Sequence, residues 1–188
     1  MSHYYFLVSS LPYLNYDMEK IPPMEYFLKL CREHTSGNDY DLIKSAVMDD
    51  CGQKATSSGI LNKWYTGERN LRNKLVILRA RKKGVYPERY LRPNPDLSVY
   101  ERTAQEAFQE DSPLAAENLL NRERWHYLDE LELGHYFDTD ELIIYYLKLQ
   151  ILWRKMNFDR EKGMERYNEI IEKFSGEEFP REDNVNQG

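Results

Sequence analysis

An all-α fold is what this sequence predicts, on three observations. Apolar residues recur at helical spacing over several long stretches, start and stop signals bracket those stretches, and no hairpin signal appears. The chain has 188 residues, 41% of them apolar, with 15 Tyr, 7 Phe and 3 Trp, which is enough large side chains for a core. Such an aromatic content excludes a disordered chain.

The first element is "YYFLVSSLPYL" at 4–14, a helix that a core closes over or else a strand at 4–8, ending near Pro12. A cleaved signal is not expected, because no basic residue precedes this short apolar run. Met24, Phe27, Leu28 and Cys31 stand at i, i+3, i+4 and i+7 and predict a helix over 24–32. After the loop signal "TSGND", Asp39 is placed to cap a short helix through Leu42, Ile43 and Val47.

Residues 60–84 predict a long helix with Leu71, Leu75 and Leu78 on one face and Arg72, Arg79 and Lys83 on another. It stops at "ARKKG", where cations complement the helix dipole and Gly84 suits the left-handed cap. Three prolines in "YPERYLRPNPDLS" mark a linker or crossover. The chain therefore reads as one helical domain over 1–175, or as two lobes, 1–85 and 99–175, joined by Pro-rich 86–98.

Helices are predicted over 99–110 and 112–134, the second with Ser112 as N-cap and Pro113 at the first helical position. Leu119, Leu120, Trp125, Leu128 and Leu131 mark its buried side. Asp138 and Glu141 have capping-box spacing ahead of a helix over 139–156 that is apolar almost all round and so should be the central one. A last amphipathic helix presents Met164, Tyr167, Ile170, Ile171 and Phe174, and 176–188 reads as a disordered tail.

The apolar stretch 142–153 contains Lys148 and Gln150 and falls short of the ~20 apolar residues that span a bilayer. The expectation is a cytoplasmic protein with no transmembrane segment. Cys31 and Cys51 are too few for a disulfide framework and read as buried thiols. The net charge of −6 hides an asymmetry: residues 69–100 carry nine Lys/Arg against two acidic residues, whereas 101–188 carry eleven against twenty-one. A basic segment in an acidic chain suggests an acidic partner, in trans or in its own C-terminal half. Nucleic acid is disfavoured because the acidic flanks repel phosphates.

No phosphate-cradling glycine motif, nucleophile elbow or zinc-binding His-Glu-x-x-His occurs, so no cofactor, small-molecule substrate or catalytic residue is expected. "HYFDTDE" offers His135, Asp138 and Asp140 as an alternative, the ligands of a metal-dependent hydrolase, against the plainer reading of a turn and a helix cap. The carboxylates of "DELEL" at 129–133 read as a solvated face, and His126 as a surface or satisfied histidine. The basic helix 69–83 is the better functional candidate: Arg72, Arg79 and Lys83 form a protein-interaction stripe, with an RNA- or anionic-lipid-binding adaptor as the alternative.

Residues 4–14, together with the stretch from "RWHYLDELELGHYFDTDELIIYYLKLQILW" at 124–153 through "EII" at 169–171, resemble a little-characterised bacterial family associated with V-type ATPase subunits. Asn70 to Gly84 and Ile143 to Trp153 are also similar, in order, to two helices of a central-stalk component of the A/V-type rotary ATPases, the one that couples the rotor to the membrane ring. This chain is shorter than that component, and Gln150 stands where the component favours Glu. The resemblance implies an irregular multi-helix bundle, part of the fold of that component, and no bond chemistry. The expected role is a non-catalytic subunit or assembly factor of a proton- or sodium-transporting V/A-type ATPase. Its partners would be other ATPase subunits, in the central stalk or at the membrane ring on the cytoplasmic face.

Overall fold

The computed structural model describes residues 4–48, 56–93 and 100–158, and among these it has seven α-helices and one 3-10 turn. The helices are α1 (Tyr5–Ser10), α2 (Met24–His34), α3 (Gly37–Ser45), α4 (Gly59–Lys83), α5 (Glu101–Gln109), α6 (Pro113–Glu132) and α7 (Thr139–Asn157), with the turn at Pro87–Arg89. No strand occurs among the described residues, and the opening stretch is helical from Tyr5. The chain divides into two compact units, Met1–Lys155 and Met156–Gly188; of the second the described residues are 156–158 alone. Cys51, the helix expected beyond residue 160 and the tail 176–188 lie outside the described residues.

Helix ends follow local chemistry. Ser58 Oγ accepts from the Leu61 N–H (3.1 Å) at the start of α4, and Ser112 Oγ from the Ala115 N–H (3.4 Å) at the start of α6, with Pro113 at the first position. Gly84 closes α4 at φ +66°, the left-handed region that costs glycine little. The cap of α3 is a correction. Ser36, not Asp39, is its N-cap, accepting from the Asp39 N–H (3.2 Å) while its hydroxyl donates to Asp39 Oδ2 (2.8 Å). Asp39 is thus the far partner of the cap, and α3 ends at Ser45, leaving Val47 exposed.

Two apolar clusters organise the first unit. The larger joins α1–α3, the N-terminal half of α4, the C-terminal half of α6 and α7, around Leu7, Phe27, Trp64, Leu128 and the buried run from Leu142 to Leu152. Here α7 is the central helix, as its nearly all-round apolar pattern requires. Cys31 lies in this cluster with no exposure, and burial pushes its thiol up to about 12, so it packs as a small apolar residue. The smaller cluster takes Leu71 and Leu75 from α4, Ala104 and Ala107 from α5, and Leu120 from α6, with Leu78 against them.

A polar layer lies between the two clusters along both shared helices. Glu68 of α4 is 2% exposed and Arg124 of α6 is 6% exposed. Arg124 Nε and Nη2 donate to the two Glu68 oxygens (2.9 and 3.1 Å), and Nη1 donates to Glu117 Oε1 (2.9 Å) and Asn121 Oδ1 (2.8 Å). Arg72 Nε donates to Glu68 Oε1 (2.6 Å), and Arg154 of α7 pairs with Glu117 (3.2 Å). Burial works against the Arg124 charge, but its bonds to Glu68 and Glu117 outweigh that, and its pKa is raised. Antiparallel α4 and α6 also approach closely here: a Cβ on Gly67 would stand 2.4 Å from the Tyr127 ring.

Candidate interaction surface

The helix expected to carry function is α4, and its basic residues do not share one environment. Arg72 is half-buried and bonded to Glu68, as part of the layer just described. Seven and eleven residues on, Arg79 and Lys83 lie beyond that layer, and both are exposed. Periodicity alone puts the three on one stripe, but α6 covers the middle of α4 and leaves its C-terminal end free of the layer. The predicted stripe is therefore split, with Arg72 joined to the core and Arg79 and Lys83 at the outer end.

Beyond α4 the chain folds back as a pinned hook. The Val85 N–H donates to Ala80 O (3.0 Å) and the Tyr90 N–H to Pro87 O (2.8 Å). Asn73, 1% exposed, then holds the returning backbone through both polar groups of Arg92. Its Nδ2 donates to Arg92 O (3.2 Å), and its Oδ1 accepts from the Arg92 N–H (2.9 Å). On this hook Tyr86 is 84% exposed and Tyr90 59% exposed, beside exposed Arg81, Lys82, Lys83, Arg89 and Arg92. Exposed tyrosine next to arginine is the composition of interface hot spots. Sequence reasoning misses these tyrosines; their spacing of four residues about Pro87, ahead of Pro93, is the available signal.

Charge pairing with the C-terminal half is partial. Lys74 of α4 pairs with Glu101 of α5, and Lys82 lies 5.5 Å from the Phe108 ring centroid. The buried pair Glu68–Arg124, just ahead of the basic segment, has the opposite polarity to the overall asymmetry. Two carboxylates of "DELEL" are also not simply solvated: Asp129 and Glu132 hold Lys148 of α7, at 2.8 and 2.6 Å. His126 is exposed.

The residues of the hydrolase alternative have structural employment. Asp138 Oδ1 accepts from the Glu141 N–H (2.9 Å), capping α7, and its Oδ2 lies 2.9 Å from His135 Nδ1. Asp140 Oδ1 accepts from the Ser58 hydroxyl (3.1 Å), tying the starts of α7 and α4 together. Among the described residues no three His, Cys, Asp or Glu side chains are grouped to hold a metal.

Glu141 is the perturbed group of this corner. Burial, then the charge of Glu132, raises its carboxyl from 4.5 to about 7. The folded chain therefore holds a proton that the unfolded chain releases above about 4.5. That contribution to stability is full below 4.5 and is lost as pH rises through 7. Denaturation at pH 4.5 and 7.5 should show the native chain losing about 1–2 kcal/mol relative to Glu141→Gln, a figure discounted for the water this partly exposed group still sees. Parallel profiles for the two proteins would refute the shift.

Residues 95–178, which include α5, α6 and α7, match a family described as a protein of unknown function (DUF2764). No curated protein and no solved structure matches the chain.

Proposed function

We propose that this protein is a non-catalytic helical component of a bacterial V/A-type ATPase, a stalk-associated subunit or an assembly factor, that grips an acidic neighbour through the basic end of α4. The reading rests on the resemblance of residues 4–14 and 124–171. One observation supports it above the rest: its described parts, distant in sequence, pack against each other. The Tyr4 N–H donates to Phe137 O (2.5 Å), the Tyr145 hydroxyl donates to Pro12 O (3.0 Å), and Leu7 and Leu14 share a core with Leu142 and Leu147. No helix among the described residues is long and apolar enough to cross a membrane. A peripheral place on the cytoplasmic face is the corresponding proposal.

Affinity purification from the native cell, scored for ATPase subunits, tests this. The variant Arg79→Glu/Lys83→Glu should stay folded, because surface charges of this kind contribute only about 0–1 kcal/mol each. It should lose the ATPase subunits, because like charges would face each other across the contact. Arg72 is left unchanged, since a glutamate there would face buried Glu68. A native chain that recovers no ATPase subunit, yet binds RNA or anionic vesicles with a steep salt dependence, would replace this reading with the adaptor one.

A further inference from the structure

Glu141, Tyr145 and Lys148 stand at i, i+4 and i+7 on α7, so they share one helix face. Opposite that face run α1 and the segment 11–14, tied to α7 by the bond from the Tyr145 hydroxyl to Pro12 O. Between them lies a cleft of about 200 Å³. Val8, Leu11, Leu14 and Leu142 give it apolar walls, and Tyr13, 89% exposed, stands at its rim. An engineered cavity of ~150 Å³ accepts a benzene-sized molecule, so this cleft has room for one long side chain or a comparable small molecule.

The charges in the cleft are unbalanced. Glu141 Oε2 is shut off from solvent and has no hydrogen-bond partner among the described residues. Lys148, the cation of the same face, is already committed: its ammonium holds Asp129 and Glu132 and lies 5.5 Å from the Trp125 ring centroid. His135 and Asp138, close by at the start of α7, are bonded to each other. From α6 and α7 the cleft takes two carboxylates, Glu132 and Glu141, against the one ammonium of Lys148, which Asp129 outside the cleft also claims, while the facing segment lines it with apolar side chains and Tyr13. A buried acceptor without a donor is costly, and natural folds keep few of them without a reason. A divalent metal does not fit, because hard cations take six or more oxygens and among the described residues no three His, Cys, Asp or Glu side chains are grouped to supply them.

We infer that this cleft binds a cation carried on an apolar stem, an alkylguanidinium or alkylammonium group, with the stem between Leu11, Leu14 and Leu142 and the head donating to Glu141 Oε2. Such a group supplies both things the cleft lacks, a donor for the orphaned oxygen and apolar contact for its walls. An inserted Arg or Lys side chain of a partner and a free small amine share this chemistry.

Butylguanidinium tests the inference on the full chain, above the pH range in which Glu141 keeps its proton, followed by NMR shifts of the Leu14 and Leu142 methyl groups, with uncharged butylurea as the match for stem and shape. Saturable shifts are expected with butylguanidinium, with binding at least about tenfold weaker for butylurea and for the Glu141→Gln variant, a loss of the charge-assisted bond. Tyr13→Arg, a change at an exposed rim position, should place a cation at the cleft from within and compete with the probe. Equal binding of the two probes, unchanged binding to Glu141→Gln, or no shifts at these methyls would each overturn the inference. N-acetylarginine methylamide against putrescine then separates the sources: tighter binding of the first assigns the occupant to a partner's side chain, and of the second to a free amine. The isolated chain suffices, so the outcome does not depend on whether ATPase subunits co-purify.

Discussion

Arg124→Ala should lower the unfolding free energy by about 3–5 kcal/mol, the usual cost of removing one partner of a buried ion pair. Total stability for a domain is about 5–15 kcal/mol, so the melting transition should move sharply down or the chain should fail to fold cooperatively. The cause is Glu68, 2% exposed, which would keep Arg72 as a donor but lose both of its bonds from Arg124. Glu117 and Asn121 would lose a donor with it. The paired change Glu68→Leu/Arg124→Met should recover most of the loss, because replacing both members by apolar residues removes the uncompensated charge. Urea denaturation of the single and double variants checks both parts. A loss under about 1 kcal/mol for the single change would mean that water screens the pair as it does a surface pair. The layer sits between two apolar clusters on both α4 and α6, so a one-turn slip of either helix would bury an unpaired charge. We therefore expect the double variant to keep its stability better than its single native arrangement, visible as broadened NMR resonances.

Leu149→Asp should abolish folding altogether. Leu149 has no exposure, and its neighbours on α7, Ile143, Ile144, Leu147, Ile151 and Leu152, are equally enclosed. An ionised carboxylate there would have no partner, and the chain would give up either the charge or the core, at a cost comparable to total stability. Far-UV circular dichroism should show no cooperative thermal transition for the variant. Leu149→Ala provides the graded comparison, expected to cost about 2–5 kcal/mol through the cavity it leaves. A native-like melting temperature for the aspartate variant would place this side of α7 at a surface and overturn the central position assigned to the helix.

Residue spacing carries much of the fold. Ser112 with Pro113, Gly84 after "ARKK", and Asp138 three residues before Glu141 each act within one helical turn, and each stands in the structure at the helix end it marks. Leu71, Leu75 and Leu78 lie together in the smaller cluster because helical geometry alone puts them on one face. Where two local signals compete, spacing does not choose between them. Ser36 and Asp39 are both good caps three residues apart, and the two cooperate in a single motif rather than one replacing the other. Of the candidate site, Arg79 and Lys83 lie outside the buried layer, while Arg72 belongs to it, because its helix neighbour Glu68 is the residue that meets α6.

By itself, then, the sequence determined the helical class, the limits of most described helices to within a few residues, the apolar stripes of α2, α4 and α6 and the all-round apolar character of α7, because these depend on interactions within four positions along the chain. Tertiary structure alone decided which polar groups went inside. Glu68 and Arg124 are 56 positions apart, Lys148 sits in an apolar run yet reaches back 16 and 19 positions to Glu132 and Asp129, and Tyr145 closes a cleft against Pro12 across 133 positions. A charged residue on a helix can be solvated or buried with equal local propriety. What settles it is whether the face it occupies meets another helix and whether that helix brings the opposite charge, and neither is written within reach of the residue itself.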